Sequence, residues 1–136
     1  MERIAGAFEA GQVIDRRGRR SDNITQALRY LLDACRAAGR LDAMALADRD
    51  GLLLAASGDP GACEEVAARV AVIPIDVGSF RGTVIGAAGA WPVHMRRLRL
   101  PGFEGMSLYV CAIGGAPNDR TSQVSRAGAG IERILA

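Results

Sequence analysis

The side chains with the reactivity to do chemistry are three thiols, Cys35, Cys63 and Cys111, and one imidazole, His94. Three thiolates and an imidazole are a zinc donor set, but such sites draw on ligands that sit pairwise close in the chain. None of these four is paired in that way, so the spacing reads as three core cysteines. His94 has no serine or cysteine beside it in a nucleophile-elbow context, and one histidine without partners builds no triad. Asp48, Asp50 and Asp59 gather near a turn, yet the alternating oxygen ligands and distal glutamate of a calcium loop are missing. They read as turn residues, a setting aspartate favours. The glycines at 78, 82, 86 and 89 come without a phosphate-loop lysine or dinucleotide spacing, and read as a flexible loop. No residue is therefore assigned to catalysis, and no metal or cofactor is expected.

Charge is the next resource. All 17 basic residues are arginine, a bias that with the abundant alanine and glycine suggests a GC-rich bacterial genome, and the net charge is only +2. Basic and acidic residues alternate except in Arg16-Arg17-Gly18-Arg19-Arg20 and Arg96-Arg97-Leu98-Arg99. The first cluster lacks interleaved aromatic rings to stack on bases, so nucleic acid is not the expected partner. Arg96, Arg97 and Arg99 lie on a predicted strand, where they either keep an edge strand soluble, the preferred reading, or face an acidic partner. An odd number of cysteines without a Cys-x-x-Cys pair fits a reducing compartment, the cytoplasm. No apolar run approaches the roughly 20 residues of a membrane-spanning helix, and the first residues lack a secretion-signal pattern.

These groups need a scaffold, and 136 residues, 49% of them apolar, fit one domain. Residues 1–21 have few bulky apolar side chains and read as a flexible arm, with the domain over 22–136. A helix starts at Asp22 or Asn23 as cap, carries Ile24, Ala27, Leu28, Leu31, Leu32 and Cys35 on one face, and stops at Gly39. Two short apolar runs around Asp50-Gly51 predict a β-hairpin. Cys63, Val66, Ala67, Val70 and Ala71 mark one face of a second helix, and Pro74 ends it. Residues 75–90 are hard to read beyond a short strand near Thr83–Ala87. The segment Val93–Leu100 looks extended, with an apolar side that switches after Met95, so a bulge near Arg96 and Arg97 is expected. Met106–Ile113 is a strand apolar in both phases, and a last helix carries Val124, Ala127, Ile131, Ile134 and Leu135 inward. Gly128 and Gly130 within it cost about 1 kcal/mol each against alanine, which close packing on a sheet would justify.

Tight turns between successive strands make an antiparallel sheet, and strands apolar on both faces need cover on both. The outer helices can cover one face; the single middle helix is too small to cover the other alone. A second chain packed beside it would complete the burial.

The leading helix followed by Ala43-Met44-Ala45-Leu46-Ala47-Asp48-Arg49-Asp50-Gly51-Leu52-Leu53-Leu54-Ala55, the helix holding Glu64-Glu65-Val66-Ala67-Ala68, and the late strand Leu108-Tyr109-Val110-Cys111-Ala112 resemble the roadblock/dynein light chain family over residues 24–135. The resemblance implies an α+β, three-layer α/β/α domain with a central antiparallel sheet, the first and last helices on one face and the middle helix on the other. It further implies a non-catalytic homodimer or heterodimer with another roadblock-like chain, formed through the middle helix and an adjacent edge strand, that serves a small Ras-like GTPase. Cys63, Val66, Ala67, Val70 and Ile73 are then the candidate interface, and Arg96, Arg97 and Arg99 the candidate partner-facing residues. The alternative is a small-molecule sensor of profilin-like or GAF-like fold, which a pocket with convergent polar groups would mark.

Overall fold

The computed structural model describes residues 16–73, 78–101 and 106–136. In chain order the elements are α1 (Arg16–Gly39), β1 (Ala43–Asp48), β2 (Leu53–Gly58), α2 (Pro60–Val70), β3 (Ser79–Gly86), β4 (Gly89–Arg97), β5 (Leu108–Ile113) and α3 (Pro117–Leu135). The strands form one sheet in the order β2-β1-β5-β4-β3, antiparallel at every pairing. Strand alternation divides the core in two. Met44, Leu46, Leu108, Val110 and Ala112 meet Leu28, Leu32, Cys35, Val124, Ala127 and Ile131 of α1 and α3. Ala43, Ala45, Ala47, Tyr109, Cys111 and Ile113 face the opposite way, onto Cys63, Val66, Ala67 and Val70 of α2. The three-layer α+β architecture expected from the sequence is the one observed, with α1 and α3 on one face and α2 on the other.

Local chemistry explains where each element begins and ends. Asp48 turns the first hairpin by accepting from the amides of Asp50 and Leu52, both at 2.9 Å, while Gly51 takes a φ of +86° that a β-carbon would strain. Asp59 caps α2 by accepting from the Ala62 amide at 3.1 Å, and Pro60 enters the first turn, where its missing N–H costs nothing. The helix ends at Val70, short of Pro74, which lies outside the described residues.

Several sequence expectations change here. The first helix begins at Arg16, six positions before Asp22, so the Arg16–Arg20 cluster has helical backbone. Arginine has a helix propensity near that of alanine, and the helix continues past the end of its apolar stripe. Residues 1–15 of the arm lie outside the described residues. Gly39 is the last helical residue, while Arg40 takes the left-handed φ of 53° and Leu41 N donates to Arg36 O at 3.0 Å. Gly39 serves packing instead, since a β-carbon there would stand 2.7 Å from Gln123 Cγ on α3. The two glycines of α3 separate in the same way. Gly128 faces Leu98, just past the end of β4, and Val110 of β5, as close sheet packing requires, but Gly130 faces Leu31 of α1.

The glycine-rich stretch, expected to hold only a short strand, forms the eight-residue β3, and β4 starts at Gly89, ahead of Pro92. Pro92 is tolerated because β4 outruns β5 at this end: their pairing begins at Val93↔Ile113, so the missing amide forfeits no ladder bond. No bulge interrupts β4, which pairs with β5 in unbroken register from Val93 to Arg97. The apparent switch of apolar side is plain alternation on a strand covered on both faces, Met95 beneath α2 and Leu98 beneath α3. The irregularity falls instead in the first hairpin, between Leu46 and Ala47.

Candidate interaction site

On the α2 side the cover is incomplete. The helix lies mainly over β1 and β2, with lesser contact to the other three strands, and β3 is at the edge of the sheet. Between them runs a groove of about 350 Å³ lined by Arg69, Val72, Ile73, Phe80, Thr83, Val84 and Met95. Its walls are chiefly apolar, with the Arg69 guanidinium at the rim. Val72 is 67% exposed, and Ile85 on the other face of the same edge strand is 73% exposed. Among the described residues no strand pairs with the outer side of the eight-residue β3, and an open strand edge is a template for another chain.

The groove is held in shape by one carboxylate. Glu65 Oε1 accepts from Trp91 Nε1 at 2.9 Å and Oε2 from the Ala88 amide at 2.7 Å, so α2 grips the tip of the β3–β4 hairpin. Gly86 has no side chain where the Glu65 carboxylate lies, and any β-carbon there would collide with it. These partners are 23 and 26 residues away in the chain.

The structure scatters the residues singled out from the sequence. Cys63, Val66, Ala67 and Val70 point into the protomer's own sheet and are at most 2% exposed. The stripe that made them conspicuous is the inner face of α2, so those four side chains are not available to a second chain; of the five, only Ile73 lines the groove. Arg96, Arg97 and Arg99 are not on an edge strand, because β4 lies between β5 and β3. Arg96 donates to Ser125 Oγ on the α3 side at 3.4 Å. Arg97 faces the other way by alternation, and Arg99 lies beyond the strand with its amide donating to the Glu132 carboxylate at 3.2 Å. Val72, Phe80, Val84 and Met95, which do gather, were hidden by glycines and by the switch from helix to strand spacing between them.

The thiols are buried and unpaired. Burial pushes all three pKa values up, that of Cys111 to about 12, with Cys63 as a second cause there. Among the described residues, no three His, Cys, Asp or Glu side chains gather where they could hold a metal ion, and no helix is long and apolar enough to cross a membrane. His94, expected to be alone, lies buried between two hydroxyls, Ser79 Oγ at 3.3 Å from Nε2 and Thr121 Oγ1 at 3.3 Å from Nδ1.

The arrangement defines the chain as a roadblock-type domain in fold: a five-stranded antiparallel sheet, two helices on one face and one on the other. Solved structures of MglB share it. The chain superposes on Myxococcus xanthus MglB with a TM-score of 0.56 at 9% identity, covering 81% of this chain and 88% of that one. On a structure described as MglB with tetrameric arrangement the TM-score is 0.60 at 12% identity, covering 82% and 90%. On the gliding protein MglB from Thermus thermophilus it is 0.59 at 14% identity, again covering 82% and 90%. No protein-family model and no curated protein matches the sequence.

Proposed function

We propose that this chain is a non-catalytic binding module that pairs with a second roadblock-type chain through α2 and the edge of β3. The pair presents a composite surface to a partner protein, and a small Ras-like GTPase is the partner class that the family resemblance favours. The observation that carries the reading is the apolar groove beside an open strand edge. The interface we propose is Val72, Ile73, Phe80 and Val84, whereas the resemblance implied Cys63, Val66, Ala67, Val70 and Ile73. Burying such a groove against a second copy would gain about 25 cal/mol for each Å² of apolar surface removed from water, and edge-to-edge pairing would satisfy the open backbone groups. One of the MglB structures with this fold carries a tetrameric arrangement, so the architecture supports assembly in at least that protein.

Light scattering coupled to size-exclusion chromatography tests the pairing. A mass twice the 14.3 kDa of the chain at micromolar concentration is expected, and a stable monomer overturns the homodimer. For the partner, a Ras-like GTPase encoded beside this chain is the one to assay. Binding in one nucleotide state, with or without a change in hydrolysis, supports the regulator reading, and no binding in either state refutes it.

A further inference from the structure

On the opposite face of the β3–β4 pair lies a second groove, of about 400 Å³, lined by polar and basic side chains at the start of α3. We propose that it is a binding site for a phosphate group, free or esterified on a small molecule. Its volume falls at the lower end of the roughly 300–1,000 Å³ typical of small-molecule sites.

Three elements supply the groups. β3 contributes Arg81 and Thr83, β4 contributes His94, and α3 contributes Asn118, Arg120 and Thr121. Cross-strand register sets Arg81 directly opposite His94, which puts both on this face. The Arg120 guanidinium is anchored by donating to the carbonyls of Gly114 at 2.9 Å and Gly115 at 2.7 Å, so its charge is fixed in place before any ligand arrives. Arg81 has no side-chain hydrogen bond or ion pair among the described residues and is exposed to the groove mouth. Among the described residues no carboxylate lines the groove; Asp119 of α3 is exposed and outside the lining. Two guanidinia in a polar concavity that no described carboxylate lines are the arrangement that recognises phosphate, since the planar fork matches two of its oxygens.

His94 completes the chemistry. The groups that face it are Arg81 from β3, Arg96 from its own strand and Arg120 from α3, all cationic, and burial with these charges holds its pKa below the ordinary 6.5. A neutral imidazole donates from one nitrogen and accepts at the other. One of the flanking hydroxyls, Ser79 or Thr121, therefore accepts a hydrogen bond from the ring N–H; where that one is Thr121, which lines the groove, its own O–H is left to donate outward. A bound phosphate would meet two guanidinia and a hydroxyl donor, and its negative charge would favour the imidazolium.

This chain has a single histidine, so its imidazole proton resonances report on the site without assignment ambiguity. The experiment follows them by NMR at fixed pH during addition of inorganic phosphate and, separately, glycerol phosphate, and then across a pH titration with and without each phosphate. Sodium chloride at matched ionic strength serves as control, because salt alone screens the three arginines. A saturable shift with either phosphate and none with chloride, together with a higher titration midpoint for His94, is expected; comparing the two arms tells whether the free or the esterified group is preferred. Arg81→Gln, an exposed change, should weaken the phosphate response by about tenfold, as loss of a charge-assisted bidentate contact does. Equal responses to chloride and both phosphates, or full binding by Arg81→Gln in protein with unchanged thermal unfolding, would overturn the proposal. Neither result depends on whether the chain pairs through β3.

Discussion

Truncating Glu65 to alanine should loosen the β3–β4 hairpin from α2, and the size of the effect follows from its two hydrogen bonds. A bond to a charged acceptor contributes about 1.5–3 kcal/mol. The Trp91 indole is half-buried, and without Glu65 its N–H loses an acceptor that water replaces poorly; the Ala88 amide is exposed and rehydrates. The first bond therefore counts nearly in full and the second only in part, giving a loss of roughly 2–3 kcal/mol. For a chain of this length that lowers Tm by about 6–15 °C. Glu65→Gln keeps one acceptor oxygen but turns an amide N–H₂ toward a donor, so about half that loss is expected. Trp91 is the only tryptophan, so its emission reads the local event while urea unfolding reads the global one. Glu65→Ala should shift the emission to the red and speed exchange of the indole proton. A variant with wild-type emission and a stability change below about 0.5 kcal/mol, the usual range for a surface substitution, would refute the idea that this carboxylate holds the groove together.

Three further outcomes follow from the same geometry. Val72→Asp places a charge on an exposed position of the apolar groove, so the isolated chain should unfold within about 0.5 kcal/mol of wild type. Pairing should weaken at least about tenfold, as for a central interface residue; sedimentation over a concentration series measures it. Cys35, Cys63 and Cys111 are buried with raised pKa values, so a thiol reagent at neutral pH should label none of them in the native protein and all of them in denaturant. Fast native labelling would show that the core opens locally. His94 has a folded pKa below its unfolded value near 6.5, so between those two values the unfolded chain binds more protons. Its contribution to stability is whole above about pH 6.5 and is lost as pH falls toward the folded value. Urea midpoints across that window should fall in the wild type and fall less in His94→Gln.

The sequence by itself determined the layers. Apolar residues recur at helical spacing in α1 and α3, and β1 and β5 are apolar in both phases, which forces a sheet covered on both faces; the hairpin at Asp48–Leu52 follows from short-range turn chemistry. These features are local, so they survive in a one-dimensional reading. Binding surfaces are different, because they join residues that sequence distance separates. The stripe Cys63, Val66, Ala67 and Val70 showed that α2 buries a face, but not against what, and only the sheet order revealed that its own strands take it. Arg96 and Arg97 looked like edge residues until β3 proved to lie outside them. Glu65 meets Trp91, and His94 meets Thr121, across gaps of 26 and 27 residues. Periodicity tells which residues leave water, since that depends on a side chain's own element. Which of the remaining side chains converge depends on how separate elements cross, and only the tertiary structure decides it.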